Sequence, residues 1–218
     1  MATTGWLWTD RKDIQKALDL FIYLSYVHFE SSVEDCVKAL GMDGLLVSPM
    51  RVVRYGLSWR LSKALAGPLH VNIDLTYRCN LRCVMCEVWR KESTVFGRAR
   101  EELTTEELKR LILELHALGV KIITFSGGEP LVRNDIFDVL RFARAHKLIV
   151  TLVTNATLIN QEAARKLADL KLDYLTVSLD AVSPPLNDEM RGEGTFRRAV
   201  DALRMLREMN AKVKTTIN

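Results

Sequence analysis

The sequence predicts an α/β chain: a parallel (β/α) array from about residue 69 onward, preceded by a short helical segment over residues 1–66. Three observations carry this. Short apolar runs alternate with longer segments whose apolar residues recur at helical spacing. Cap residues and glycine stops fall between them. The dipeptide Gly67-Pro68 separates this alternation from an N-terminal stretch that has the helical period only.

In that N-terminal stretch, Asp10 to Phe29 reads as a helix on the spacing of Ile14, Leu18, Phe21 and Ile22. Ser31 or Ser32 is placed to cap a second, short helix ending near Gly41. Pro49 opens a third that runs to about Ala66, with Arg51, Arg54, Arg60 and Lys63 among Val52, Val53, Leu57, Trp59 and Leu61. A basic amphipathic helix over 49–66 can lie on an anionic membrane surface. The preferred reading is a helix packed on the main domain with its arginines in solvent.

From Leu69 the elements alternate. Strands fit Leu69 to Leu75, Val120 to Phe125, Leu148 to Thr154, Leu172 to Leu179 and Lys212 to Ile217. Helices fill the gaps. Thr104 and Glu107 form a capping box for one that ends at Gly119. Asn134 is the expected cap of the next, running to about His146, and Asn160 of one running to Leu170. Thr195 to Asn210 reads as the last. Strand–helix–strand units of this kind make right-handed crossovers and a parallel sheet, whose chemistry sits at the C-terminal ends of the strands. The chain stops at Asn218, where an edge strand has just formed. The expectation is that the natural protein continues past it.

Of the 218 residues, 48% are apolar and 27% charged, which suits a buried core. A net charge of +4 is too small to point to nucleic acid. The longest apolar run, Leu18 to Phe29, is shorter than the roughly 20 residues a bilayer span needs and contains Asp19 and His28. Met1 to Trp8 lacks the basic and apolar regions of a secretory signal, and the expected location is the cytoplasm.

The cysteines are unevenly placed. Cys36 is alone and reads as a small buried apolar residue. Cys79, Cys83 and Cys86 follow the first strand directly, in the pattern C-x3-C-x2-C. Thiolates are what iron–sulfur clusters take as ligands, and a cube of four irons normally wants four. Three from one loop leave one iron open, the mark of a catalytic rather than a structural metal site. The alternative is zinc with a histidine as fourth ligand, but none of His28, His70, His116 and His146 lies close downstream. His116 and His146 sit near helix ends, an ordinary place for histidine.

The run Tyr77-Arg78-Cys79-Asn80-Leu81-Arg82-Cys83-Val84-Met85-Cys86 resembles the cluster motif of radical S-adenosylmethionine (radical SAM) enzymes. The resemblance implies a [4Fe-4S] cluster whose open iron is chelated by the amino and carboxylate groups of S-adenosylmethionine. Reduction of such a cluster cleaves the sulfonium and yields a 5′-deoxyadenosyl radical. In the family the residue before the last cysteine is often aromatic and packs near the adenine; here it is Met85, an apolar and adaptable substitute. The resemblance also implies the fold, a partial parallel (β/α) TIM-like barrel.

The second strand ends in Ser126-Gly127-Gly128-Glu129-Pro130. Two glycines let a backbone come close to a ligand. This run is similar to the family's GGEP motif, which meets the amino group of the cofactor, a role carried onto Ser126, Gly127, Gly128 and Glu129. By the same resemblance, Asn155 after the third strand and Ser178 and Asp180 after the fourth contact the cofactor's ribose and carboxylate; the plain alternative is turn-forming residues. Arg191 is expected to pair with the cofactor's carboxylate, or else to be a solvated surface arginine.

The resemblance covers residues 69–218 and is to the branch with peptide maturases, molybdenum-cofactor synthases and haem-pathway enzymes. It implies a radical enzyme supplied by an electron donor such as flavodoxin or ferredoxin. Peptide modification is the first expectation for its substrate, and small-molecule cofactor synthesis the second. Two other readings stay open: an electron-transfer or cluster-binding protein without catalysis, and an inactive fragment.

Overall fold

The computed structural model describes residues 49–62, 64, 66–90, 102–209 and 213–217. Contacts divide the chain into two units, Met1–Ala66 and Gly67–Asn218. The helices expected over Asp10 to Phe29 and Ser31 to Gly41, and Cys36, lie outside the described residues. In the first unit α1 spans Pro49–Leu61. Proline suits its first turn, where the missing N–H has no partner to lose. The helix stops short of the expected Ala66 because Ser62 takes a left-handed φ of 50°.

The second unit is a five-stranded, wholly parallel sheet in the order β1-β2-β3-β4-β5. The strands are β1 (His70–Asp74), β2 (Ile122–Ser126), β3 (Ile149–Thr154), β4 (Tyr174–Val177) and β5 (Lys214–Ile217). Between them lie α2 (Thr105–Ala117), α3 (Ile136–Ala145), α4 (Gln161–Leu170), α5 (Pro184–Arg191) and α6 (Thr195–Glu208). Crossovers of one hand between sequential neighbours put the crossover helices on the same side of the sheet. The core reflects this. Ile123, Phe125, Val150, Leu152, Leu175 and Val177 are fully buried in one cluster with Ile112, Leu140, Leu167 and Ala202 of the helices. The alternate positions face the other way and are mostly polar: Asn72, Asp74, Thr124, Ser126, Thr151 and Thr176, with Ile122, Ile149 and Val153 among them. On that face His70 Nε2 and Thr124 Oγ1 lie 2.8 Å apart, as do the hydroxyls of Thr176 and Thr216. Parallel strands are usually apolar on both faces. A sheet with one polar face and its helices on the other is the wall of a partial TIM-like barrel.

The capping box of α2 is present: Glu107 N donates to Thr104 Oγ1 at 3.3 Å, and Thr104 N to Glu107 Oε2 at 2.8 Å. Gly119, with φ 87°, follows the end of the same helix. Asn160 caps α4 by accepting from Ala163 N at 2.9 Å. The expected cap Asn134 is a correction. The N-cap of α3 is Asp135, and it makes no side-chain cap bond because its carboxylate is held by Arg133 and by Thr105 Oγ1. Helix α5 has no counterpart in the sequence reading. Its two leading prolines fall in its first turn, where proline is tolerated.

Arg133 is buried and knits the base of the site together. It pairs with Asp135 at 2.7 Å and Glu102 at 3.2 Å, and it donates to the carbonyls of Leu75 and Leu103. Arg133 draws the Asp135 carboxyl below its usual value, against some burial. Burial acts to raise Glu102, but hydrogen bonds from Arg78 and Thr76 outweigh it and the net direction is down. Carboxyls depressed in the fold contribute stability that is present above their unfolded values and lost as pH falls through the folded ones. Arg133→Met is therefore expected to cost about 3 kcal/mol at neutral pH, by leaving the part-buried Asp135 without its cation and Glu102 with Arg78 alone. The deficit should shrink below about pH 4, where carboxyls begin to protonate. Urea unfolding at both pH values measures it, and equal deficits at the two would count against the ion pairs.

Candidate functional site

Beyond β1 the chain turns across the C-terminal end of the sheet as the cysteine loop. Thr76 is buried, and its hydroxyl accepts from Arg78 N at 3.0 Å. Leu81 is buried beneath the loop, and its N–H donates to Cys79 Sγ at 3.4 Å. Cys86 N donates to the carbonyl of Cys83 at 3.1 Å, and Trp89 Nε1 donates to the same oxygen at 3.1 Å. The guanidinium groups of Arg82 and Arg90 lie 5.4 and 5.3 Å from the Trp89 ring centroid, within cation–π range. These bonds and contacts fix the course of the loop's backbone.

Cys79, Cys83 and Cys86 are free thiols, Cys83 buried and the others half-buried. Burial pushes the Cys79 thiol up, against the N–H of Leu81; it pushes Cys83 up too, against the nearby Arg191. A thiolate here lacks sufficient positive charge of its own and is suited to acquire it from a metal. Among the described residues no three His, Cys, Asp or Glu side chains are grouped to hold one metal ion. A cluster makes no such demand, because each thiolate binds a different iron. A donor set of thiolates alone is soft and fits iron–sulfur rather than magnesium or calcium.

The Ser126–Pro130 turn packs directly on this loop. Gly128 N donates to Thr76 O at 2.7 Å and Glu129 N to Arg78 O at 2.9 Å. Gly127 has φ 127°, and a Cβ on it would lie 2.4 Å from Thr76 O. The side chain of Glu129 is fully buried. Its carboxylate accepts from Thr154 Oγ1 at 2.8 Å, Leu131 N at 3.0 Å and Asn155 N at 2.7 Å. Burial raises its pKa, and these three bonds pull the other way without cancelling it.

The third wall is the end of β4 with α5. Ser178 N bonds Thr154 O at 3.0 Å, continuing the β3–β4 pairing. Arg191, at the last residue of α5, makes a two-pronged pair with Asp180 through Nε at 2.5 Å and Nη2 at 3.0 Å. The carbonyl of Met190 accepts from Val84 N at 2.9 Å, and that of Arg191 lies 3.9 Å from Cys83 Sγ. The structure therefore joins Cys83, Asp180 and Arg191, and it joins Cys79, Glu129 and Asn155. Met85 is exposed, on the loop between Cys83 and Cys86.

Residues 73–218, most of the sheet unit, match the Radical SAM superfamily. The chain belongs to the radical SAM superfamily. It is 38% identical over 184 residues to the Fe-coproporphyrin III synthase of Methanosarcina barkeri, covering 79% of this chain and 44% of that one. It is 37% identical over 147 residues to the mycofactocin maturase MftC of Mycolicibacterium smegmatis, covering 67% and 36%. Among solved structures, Streptococcus suis SuiB bound to its precursor peptide SuiA superposes with a TM-score of 0.57 at 25% identity, covering 78% and 38%. The chain thus spans less than half the length of each of these relatives. Radical SAM proteins use a [4Fe-4S] cluster and S-adenosylmethionine.

Several residues that pack around the cysteine and glycine loops carry no sequence signal as such. Asn187 is fully buried; it accepts from Asp180 N at 3.1 Å and donates to Thr195 Oγ1 at 3.1 Å. Asp188 accepts from the N–H groups of Gly194 and Phe196 and so joins α5 to α6. Trp89 and Asn80 lie in or beside the cysteine motif, and their position there was the one available hint.

Proposed function

We propose that this chain is the cofactor-binding part of a radical SAM enzyme, with Cys79, Cys83 and Cys86 as the ligands of its cluster. The observation that carries this is the direct packing of the glycine turn on the cysteine loop, through Gly128 N to Thr76 O and Glu129 N to Arg78 O. When bound, the cluster and S-adenosylmethionine supply reductive cleavage to a 5′-deoxyadenosyl radical, which takes hydrogen from a substrate. The protein's share is to bind, orient and exclude water. Ser126, Gly127 and Gly128 offer backbone to the cofactor's amino group, and Glu129 braces that turn from within. Ser178 and Asp180 line the opposite rim toward ribose and carboxylate. Arg191, paired with Asp180, would offer the same guanidinium fork to the cofactor's carboxylate. Met85, exposed on the cysteine loop, would pack near the adenine.

The substrate we propose is a peptide. Support comes from MftC, named as a maturase, from SuiB, solved with a precursor peptide, and from the polar open face of the sheet, which suits a hydrogen-bonding substrate. A tetrapyrrole or other small molecule is the second reading, favoured by the likeness to an Fe-coproporphyrin III synthase over 79% of this chain. Among the described residues no helix is long and apolar enough to cross a membrane. We place the protein in the cytoplasm, reduced by a flavodoxin- or ferredoxin-like donor.

The test is anaerobic. The chain loaded with iron and sulfide, given S-adenosylmethionine and dithionite, is expected to form 5′-deoxyadenosine and methionine in equal amounts. A loaded cluster with no product would favour the electron-transfer or cluster-binding reading.

A further inference from the structure

The side-chain amide of Asn155 has a complete set of partners. Nδ2 donates to Asn80 Oδ1 at 2.9 Å and points its other hydrogen-bonding capacity at Cys79 Sγ, 3.9 Å away. Oδ1 accepts from Thr157 N at 2.9 Å and from Thr157 Oγ1 at 2.7 Å. An amide has two donors and two acceptor lone pairs, so nothing is left over. The orientation is also fixed: turning the amide over would set its oxygen against Asn80 Oδ1 and its NH2 against the N–H of Thr157. Asn80 Nδ2 closes the ring by donating to Thr157 Oγ1 at 2.8 Å. Behind it, the backbone N–H of Asn155 is gripped by the buried Glu129 carboxylate at 2.7 Å. A residue this committed has no free group with which to meet ribose or carboxylate.

We infer that Asn155 acts on the cluster rather than on the cofactor: held by Glu129, Thr157 and Asn80, it is a positioning residue that orients Cys79 and donates an N–H···S hydrogen bond to its sulfur. The inference rests on Cys79 being a cluster ligand, as proposed above. Hydrogen bonds to ligand sulfurs stabilise the more negative, reduced state and so raise the reduction potential. Partners of this outer kind commonly fix the geometry of the ligand they touch. Asn155 thereby makes the cluster easier to reduce, and it ties that property to the strand end that also braces the glycine turn.

The experiment compares unmutated protein with Asn155→Asp and Thr157→Val, each loaded with iron and sulfide. Asn155→Asp keeps the shape and the acceptor toward Thr157 but removes both donors. Thr157→Val removes the hydroxyl that orients Asn155 without changing charge. The readouts are iron per chain, the cluster's midpoint potential by redox titration without S-adenosylmethionine, and the affinity for S-adenosylmethionine. The expected result is a shift to lower potential, larger for Asn155→Asp than for Thr157→Val, with cofactor affinity held. If Asn155→Asp fails to retain iron, the sign of the Thr157→Val shift decides. An unchanged potential with weakened cofactor affinity overturns the inference and makes Asn155 a cofactor ligand. An unmutated protein that holds no cluster would instead overturn the proposed function on which the inference stands.

Discussion

With Cys79, Cys83 and Cys86 as the proposed cluster ligands, replacing Cys83 by alanine is expected to abolish cluster binding and, with it, any cleavage of S-adenosylmethionine. Three thiolates from one loop are the fewest that hold a four-iron cube with one iron left open, and the loop has no spare. Among the described residues the free cysteines are the three of the motif. No other cysteine stands ready there to take the vacant corner. The fold should survive. Cys83 is a small buried side chain whose shorter bonds run through its carbonyl, to Trp89 Nε1 and Cys86 N, which alanine keeps; alanine loses only the thiol's 3.9 Å bond to the Arg191 carbonyl. Truncation to alanine at such a site costs on the order of 1 kcal/mol. The two effects separate cleanly: iron and sulfide per chain fall to background while the urea midpoint barely moves. A variant that keeps its iron and still makes 5′-deoxyadenosine would move the ligand set elsewhere.

Gly128→Ala is expected to damage the site through the backbone. A Cβ at Gly128 would stand 2.2 Å from Arg78 O, 2.7 Å from Arg78 C and 2.8 Å from Tyr77 O. All three are main-chain atoms, with no flexible side chain to move aside. The turn and the cysteine loop must separate, which breaks the bonds from Gly128 N to Thr76 O and from Glu129 N to Arg78 O. Overpacking of this kind costs about 1–3 kcal/mol, and the lost bonds add to it. Because Arg78 immediately precedes Cys79, the displacement reaches the proposed cluster ligands directly. The expected outcome is a destabilised chain that retains less iron than the unmutated protein under the same loading. Unaltered stability and iron content would mean that the turn and the loop are less tightly joined than their geometry states.

The glycines illustrate what a sequence can and cannot reveal. Gly127 and Gly128 read as a place where backbone meets a ligand. In the structure the close approach is first to the protein's own cysteine loop, and only then toward anything bound there. Sequence gives the residue type that permits contact, while the partner comes from the parallel register that sets Asp74 beside Ser126. Arg191 is similar. It was legible as an arginine suited to a carboxylate, but its present partner is Asp180, reached because α5 folds back over the end of β4. That helix is only eight residues long and opens on two prolines, so its local helical signal is weak.

Local chemistry was written in the chain itself. The C-x3-C-x2-C loop, the glycine turn after a strand, the capping box of Thr104 and Glu107 and the cap at Asn160 each depend on residues a few positions apart. Their physics does not wait for the fold. The alternation of strands and helices likewise follows from local periodicity, and with right-handed crossovers it was enough to imply a parallel sheet; the barrel came from the family resemblance. The tertiary structure alone decided what meets what across the C-terminal edge: Asn155 with Asn80 and Cys79, Glu129 with Thr154, Arg133 with Glu102, and Asp135 in place of Asn134 as the start of α3. These contacts join residues far apart in sequence or depend on a buried guanidinium claiming a carboxylate. A hydrogen bond of about 3 Å is fixed by strand register and burial, and residue order does not encode it directly.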